Sequence, residues 1–142
     1  MDVSDVRRRL RAVIEDARRR ASERRALLDE ATRAYEAFLP EVAVPAFHAV
    51  AQALVGEGLR FKVFTPGDAV RLTPEYSQED FIEVALDATG DTPSLVLTSS
   101  RGRGRRRVVV ETPVFEGRAI AEIVQDDVIE AVFEALPPLL AR

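Results

Sequence analysis

The chain is expected to fold as an α+β protein: a long N-terminal helix and a second helix, a five-stranded antiparallel β-meander, and a C-terminal helix. Three changes of period predict this order. Apolar residues recur every three or four positions through the first part of the chain, every second position from Leu59 to Val114, and at helical spacing again from Gln125.

The first helix is expected over residues 1–39. Val3, Val6, Leu10, Val13, Ala17, Ala21, Leu28, Ala31, Tyr35 and Phe38 form a single seam, interrupted only at Arg24. Two successive steps of four, from Val13 through Ala17 to Ala21, shift the phase as a coiled-coil stutter does. At 1.5 Å per residue such a helix is roughly 50 Å long, more than one small sheet can cover. Asp2, Ser4 and Asp5 supply capping groups and negative charge at its start. The segment carries ten arginines and eight acids, and pairs such as Glu15 with Arg19 and Asp29 with Arg33 are spaced for a solvated face.

Pro40 is expected to end that helix, and a second, largely apolar helix over residues 40–57 follows, with Phe47, Val50, Leu54 and Val55 on its surface and Pro45 in its first turn, or at its start if Glu41 to Val44 is a linker. Folded back as a hairpin, the second helix covers only part of the first. The uncovered seam is then left for the sheet, the C-terminal helix or another copy of the chain.

Strands are expected within residues 59–114. Leu59, Phe61 and Val63 alternate with Arg60 and Lys62, and Thr65, Pro66, Gly67 and Asp68 turn the chain into Val70 and Leu72. Ile82, Val84 and Leu86 form the third run. Gly90, Asp91 and Pro93 lead into Ser94 to Ser99, and a glycine- and arginine-rich turn precedes Val108 to Thr112. Short connections throughout point to a meander with one buried face. The last helix, over residues 125–141, places Val128, Val132, Phe133 and Leu136 on one side, and Pro137 and Pro138 interrupt or end it.

A chain of 142 residues is the usual size of one domain with one core. The balance of 24 acids against 20 bases gives a net charge of −4, so nucleic-acid or membrane binding would have to come from a local patch. Lys62 is the only lysine, which weakens any inference from the choice of arginine at a given site. There is no cysteine, which excludes disulfides and thiolate chemistry. The N-terminus lacks the apolar core of a signal peptide, and the apolar stretch Val42 to Val55 is too short to span a bilayer and contains Pro45, His48 and Gln52. A cytoplasmic protein without membrane contact is expected.

Few residues suggest catalysis. His48 is the lone histidine, and its apolar helical context suits a structural, half-buried imidazole better than a general base. Asp126, Glu130 and Glu134 line one helical face, and Glu83, Asp87 and Asp91 share a strand face and its loop, but neither set has the spacing of a metal-binding loop. Ser99 and Ser100 lie outside any nucleophile-elbow context, and no phosphate-binding glycine loop is present. A non-enzymatic protein without cofactor or metal is expected.

The densest signal is Arg101, Arg103, Arg105, Arg106 and Arg107 at the tip of a hairpin. Such a tip can grip phosphates without base preference, since no aromatic side chain interleaves the arginines to stack on bases. It can equally meet an acidic protein, or stay solvated and guard the sheet against aggregation. The helical seam offers another function, self-association through Val6, Leu10, Val13, Leu28 and Tyr35, with a dimer favoured; its alternative is packing within its own core. The expectation is a homo-oligomeric interaction, adaptor or chaperone-like protein, whose partner surface includes the open sheet face or the arginine hairpin. The competing expectation is a nucleic-acid-binding protein with residues 101–107 as a phosphate clamp. In architecture alone the chain resembles the secretion chaperones that dimerise and hold effector segments. It departs from them in placing two helices before all its strands.

Overall fold

The computed structural model describes residues 1–140. Helix α1 (Val3–Phe38), a π-helical segment (Leu39–Ala43) and helix α2 (Val44–Gly56) run end to end as a single rod. Pro40 therefore does not end the helix, and the expected helical hairpin does not form. The local reason lies in the hydrogen bonds. The Leu39 N–H still reaches the Tyr35 carbonyl four residues back, whereas the Val44 N–H reaches Leu39, five back. Proline lacks an N–H and crowds the preceding turn; widening that turn lets Pro40 and Pro45, themselves five apart, sit in the wall of the helix. The same widening carries the buried face from Phe38 to Ala43 in a step of five.

Five strands follow: β1 (Phe61–Phe64), β2 (Val70–Pro74), β3 (Phe81–Asp87), β4 (Ser94–Arg103) and β5 (Arg106–Val114). They form one antiparallel sheet in chain order, the expected meander. Phe61, Val70, Leu72, Ile82, Val84, Leu95 and Leu97 alternate onto one face and are buried there. Opposite them lie Tyr35, Phe38, Ala43, Ala46, Phe47, Val50 and Leu54 of the rod, with Val128, Val132, Leu136 and Leu139 completing the core. The apolar composition of α2 has its physical account here. The rod contains an 18-residue window of mean hydropathy 1.4, apolar enough by composition to cross a bilayer, yet its buried residues face the sheet.

After β5 a short 3-10 turn (Ile120–Glu122) packs beside α1. Helix α3 (Gln125–Ala135) then packs on α2. The Asp127 carboxylate accepts the Val124 N–H at 3.0 Å and an Arg118 N–H at 2.9 Å, tying down the start of α3 and holding its carboxyl below the usual aspartate range. A last turn, α4 (Pro137–Leu140), begins at the two prolines that close α3. The expected end of this helix at Ala141 lies outside the described residues.

Only the C-terminal part of α1 meets the rest of the molecule. Leu27, Glu30, Ala31 and Ala34 border the 3-10 turn and the loop at Thr92 and Pro93. Before Leu27 the helix projects for about 35 Å, and among the described residues its link to the body is the exposed ion pair of Arg24 with Asp91 at 3.8 Å.

Candidate functional site

Two surfaces stand out, and neither is a pocket. The first is the arginine hairpin. Beyond the last pairing of β3 with β4, Phe81 with Ser100, strands β4 and β5 continue alone through Arg101 with Val108, Gly102 with Arg107 and Arg103 with Arg106. This two-stranded ribbon projects from the sheet. The reversal is tighter than the sequence suggested: Gly104 holds the first central position with φ +64° and Arg105 the second, as in a type II′ turn. Gly102 is a strand residue rather than part of the turn.

Alternation along the ribbon sorts the five arginines. Arg101, Arg103 and Arg106 share the face that carries the helices further along the sheet, and Arg105 occupies the turn. Arg107 points to the opposite, open face, and its role there is structural. Its guanidinium donates to the Glu79 carbonyl, to Ser100 Oγ at 2.8 Å and to Glu79 Oε2 at 2.5 Å. It also stands 3.8 Å from Asp80 Oδ1. Asp80 is 1 % exposed, and the same oxygen accepts the Gly102 N–H at 2.8 Å. The loop before β3 thus clamps the root of the ribbon. Arg101, Arg103, Arg105 and Arg106 have no acid within 4.0 Å among the described residues, so the acids of α3 do not neutralise the tip.

The second surface is the seam of α1. At 100° per residue, Val6, Leu10 and Leu28 all lie within about 20° of Tyr35, so the face that enters the core continues along the projecting rod. Val3, Leu10 and Val13 are 72 %, 53 % and 64 % exposed, and nothing in the described chain covers them. Packing of the whole seam within its own core is thereby overturned. One residue assigned to self-association needs correcting as well: Tyr35 is buried in its own core, where its hydroxyl donates to the Asp68 carbonyl. Leu28 is half-buried at the boundary. Ion pairs along the projecting part, such as Arg20 with Asp16 at 3.0 Å, are solvated pairs within one helix.

The other candidates are dispersed. His48 is exposed on α2 rather than half-buried. Glu83 is paired with Arg71 at 2.8 Å, and Asp87 accepts hydrogen bonds from Thr89. Among the described residues no three potential ligands converge on a metal position. Ser100 is buried, and its hydroxyl is committed to Glu79 and Arg107. The open sheet face carries a depression of about 520 Å³ lined by Phe64, Arg71, Thr73 and Gln78. Its one cation, Arg71, is spent on Glu83 and on the Phe81 ring, 3.8 Å below its guanidinium.

Comparison of the chain with protein-family models, with curated proteins and with solved structures finds no match.

Proposed function

We propose that this chain is a non-enzymatic, homo-oligomeric interaction protein, of adaptor or chaperone-like type, that associates through the projecting part of α1. The observation that carries this reading is the seam itself. It stays in phase with the core-facing side of the helix and bears Val3, Val6, Leu10 and Val13 in solvent over several turns. Soluble proteins rarely leave a contiguous apolar stripe of this kind uncovered. A second copy offers the same stripe in return, and a dimer buries both.

The test is the solution mass of the wild-type chain and of Leu10→Asp. The wild type is expected to sediment as a dimer or larger assembly. Leu10→Asp, which places a carboxylate on the seam far from the core, is expected to stay folded and to lose assembly through the seam, seen as a fall in sedimenting mass. A monomeric wild type at high concentration would remove the proposal.

A second reading rests on a separate observation. Arg101, Arg103, Arg105 and Arg106 gather at a projecting ribbon with no acid within 4.0 Å of them among the described residues. That arrangement favours phosphate contacts from a β-ribbon, hence binding of nucleic acid with little base preference. An acidic protein segment would satisfy the same cations, and salt titrations with the two kinds of ligand separate the cases.

A further inference from the structure

The sheet ends at β5, and no described segment lies on its outer side. This edge is unusually bare. The opposite edge, β1, is four residues long, whereas β5 has nine residues, most of them exposed on both faces. Natural sheets blunt their edges with short strands, charges, prolines or a covering segment. Here Arg106 and Arg107 lie toward the tip and Glu111 and Pro113 toward the far end, while Val108, Val109 and Val110 run between them, with Val109 and Val110 more than half exposed.

The hydrogen-bonding groups of this edge follow from the turn. Arg103 and Arg106 close a two-residue loop and are therefore a hydrogen-bonded pair, so Val108, Val110 and Thr112 also direct their N–H and C=O groups toward β4. Arg107, Val109 and Glu111 direct theirs outward. Pro113 falls on the outward set, where its missing N–H costs the β4 ladder nothing.

We propose that β5 pairs antiparallel with β5 of a second copy about a two-fold axis through Val109, joining the two sheets into one. Charge complementarity selects this occupant and this register. The segment Arg107–Val108–Val109–Val110–Glu111 is basic at one end, acidic at the other and symmetric between. Antiparallel self-pairing centred on Val109 sets Arg107 opposite Glu111 of the partner copy, twice, on the open face. On the other face it sets Val108 opposite Val110, again twice. The register engages every outward donor, because Arg107, Val109 and Glu111 meet their counterparts in hydrogen-bonded pairs. Sliding the axis to Val110 would instead oppose Arg107 to Pro113 and lose two donors. Arg107 can serve both its own clamp and the partner, because its Nε–H and one Nη2–H remain after the contacts to Glu79 and Ser100. Glu111 has no ion pair of its own among the described residues. This surface is separate from the helical seam and goes beyond the function proposed above.

Residue-resolved amide exchange on the wild-type chain tests the pairing without altering it. In a monomer the amides of Val108, Val110 and Thr112 are protected and those of Arg107, Val109 and Glu111 exchange freely. Raising the protein concentration is expected to protect the second set as well. Glu111→Arg, which opposes two cations in the pair, is expected to move that onset to several-fold higher concentration while the first set stays protected. Free exchange of the outward amides at every concentration would overturn the proposal. So would an onset indifferent to Glu111→Arg, or equal protection appearing along β1, which would mean head-to-tail pairing of unlike edges.

Discussion

Arg107 and its four neighbours are indistinguishable as letters, yet one is a structural tie and the others have no ion pair among the described residues. What separates them is strand parity together with a loop more than twenty residues away, since Glu79 and Asp80 come from the connection before β3. Alternation indicated that the arginines would divide between two faces; it could not indicate that one face already held an acid. The buried Asp80 gives this clamp its energetic weight. Asp80→Ala would remove the carboxylate that accepts the Gly102 N–H and stands beside Arg107, at a cost of about 2–3 kcal/mol, read as a lowered urea midpoint with an unchanged slope. Tyr35 supplies a second test. Burial, reinforced by the carboxylates of Asp68 and Glu83, pushes its hydroxyl from 10.0 up to about 12. The fold therefore holds the Tyr35 proton more tightly than the unfolded chain does. Its contribution is complete below pH 10 and is lost as the pH rises toward 12. Denaturation curves across this interval are expected to lose stability faster for the wild type than for Tyr35→Phe.

At the level of elements, the sheet was the most legible part. Period-two patterning and turn chemistry at Pro66–Gly67 and at Gly90 to Pro93 are local signals, and the connections are too short to permit any order but a meander. The rod was half legible. Its seam was visible through Phe38, but a proline inside an apolar run reads as a terminator, because the rule assumes an α-helical turn of fixed width. The clue was available in the spacing: Pro40 and Pro45 are five apart, as are the buried Phe38 and Ala43, and five is the π-helical step. The projecting part owes the core almost nothing. Among the described residues its ion pair to the sheet loops is the exposed contact of Arg24 with Asp91 at 3.8 Å, worth less than about 1 kcal/mol. Deleting residues 1–24 is thus expected to shift the melting temperature by no more than a few degrees. The same deletion should abolish assembly through the seam, seen as a fall in sedimenting mass.

For the whole molecule, charge is distributed against the average. A chain of net charge −4 presents a basic tip held clear of its acids. Electrostatic binding there would be local and steeply dependent on salt. Neutralising Arg103, Arg105 and Arg106 together is expected to remove low-salt binding to generic duplex DNA or RNA and to flatten its dependence on ionic strength. Binding that survives the triple substitution unchanged would assign the nucleic-acid surface elsewhere. Arg107 is left out of that variant because removing it would loosen the ribbon's root and confuse a charge effect with a folding effect. The candidate surfaces were only partly legible for a related reason: whether a charge or an apolar stripe is free depends on what fails to cover it, and that is a property of the assembled chain.

The uninterrupted helix has a mechanical consequence. Two helices joined at a bend would act as a hinge, whereas a rod whose turn merely widens at Pro40 transmits direction from the sheet to the N-terminus. Any assembly formed through the projecting part inherits that stiffness. It would work as a ruler, holding the bodies that carry the arginine tips at a spacing set by helical rise, so that inserting or removing residues before Leu27 would change that distance in steps of about 1.5 Å and turn the bodies about the rod axis at the same time.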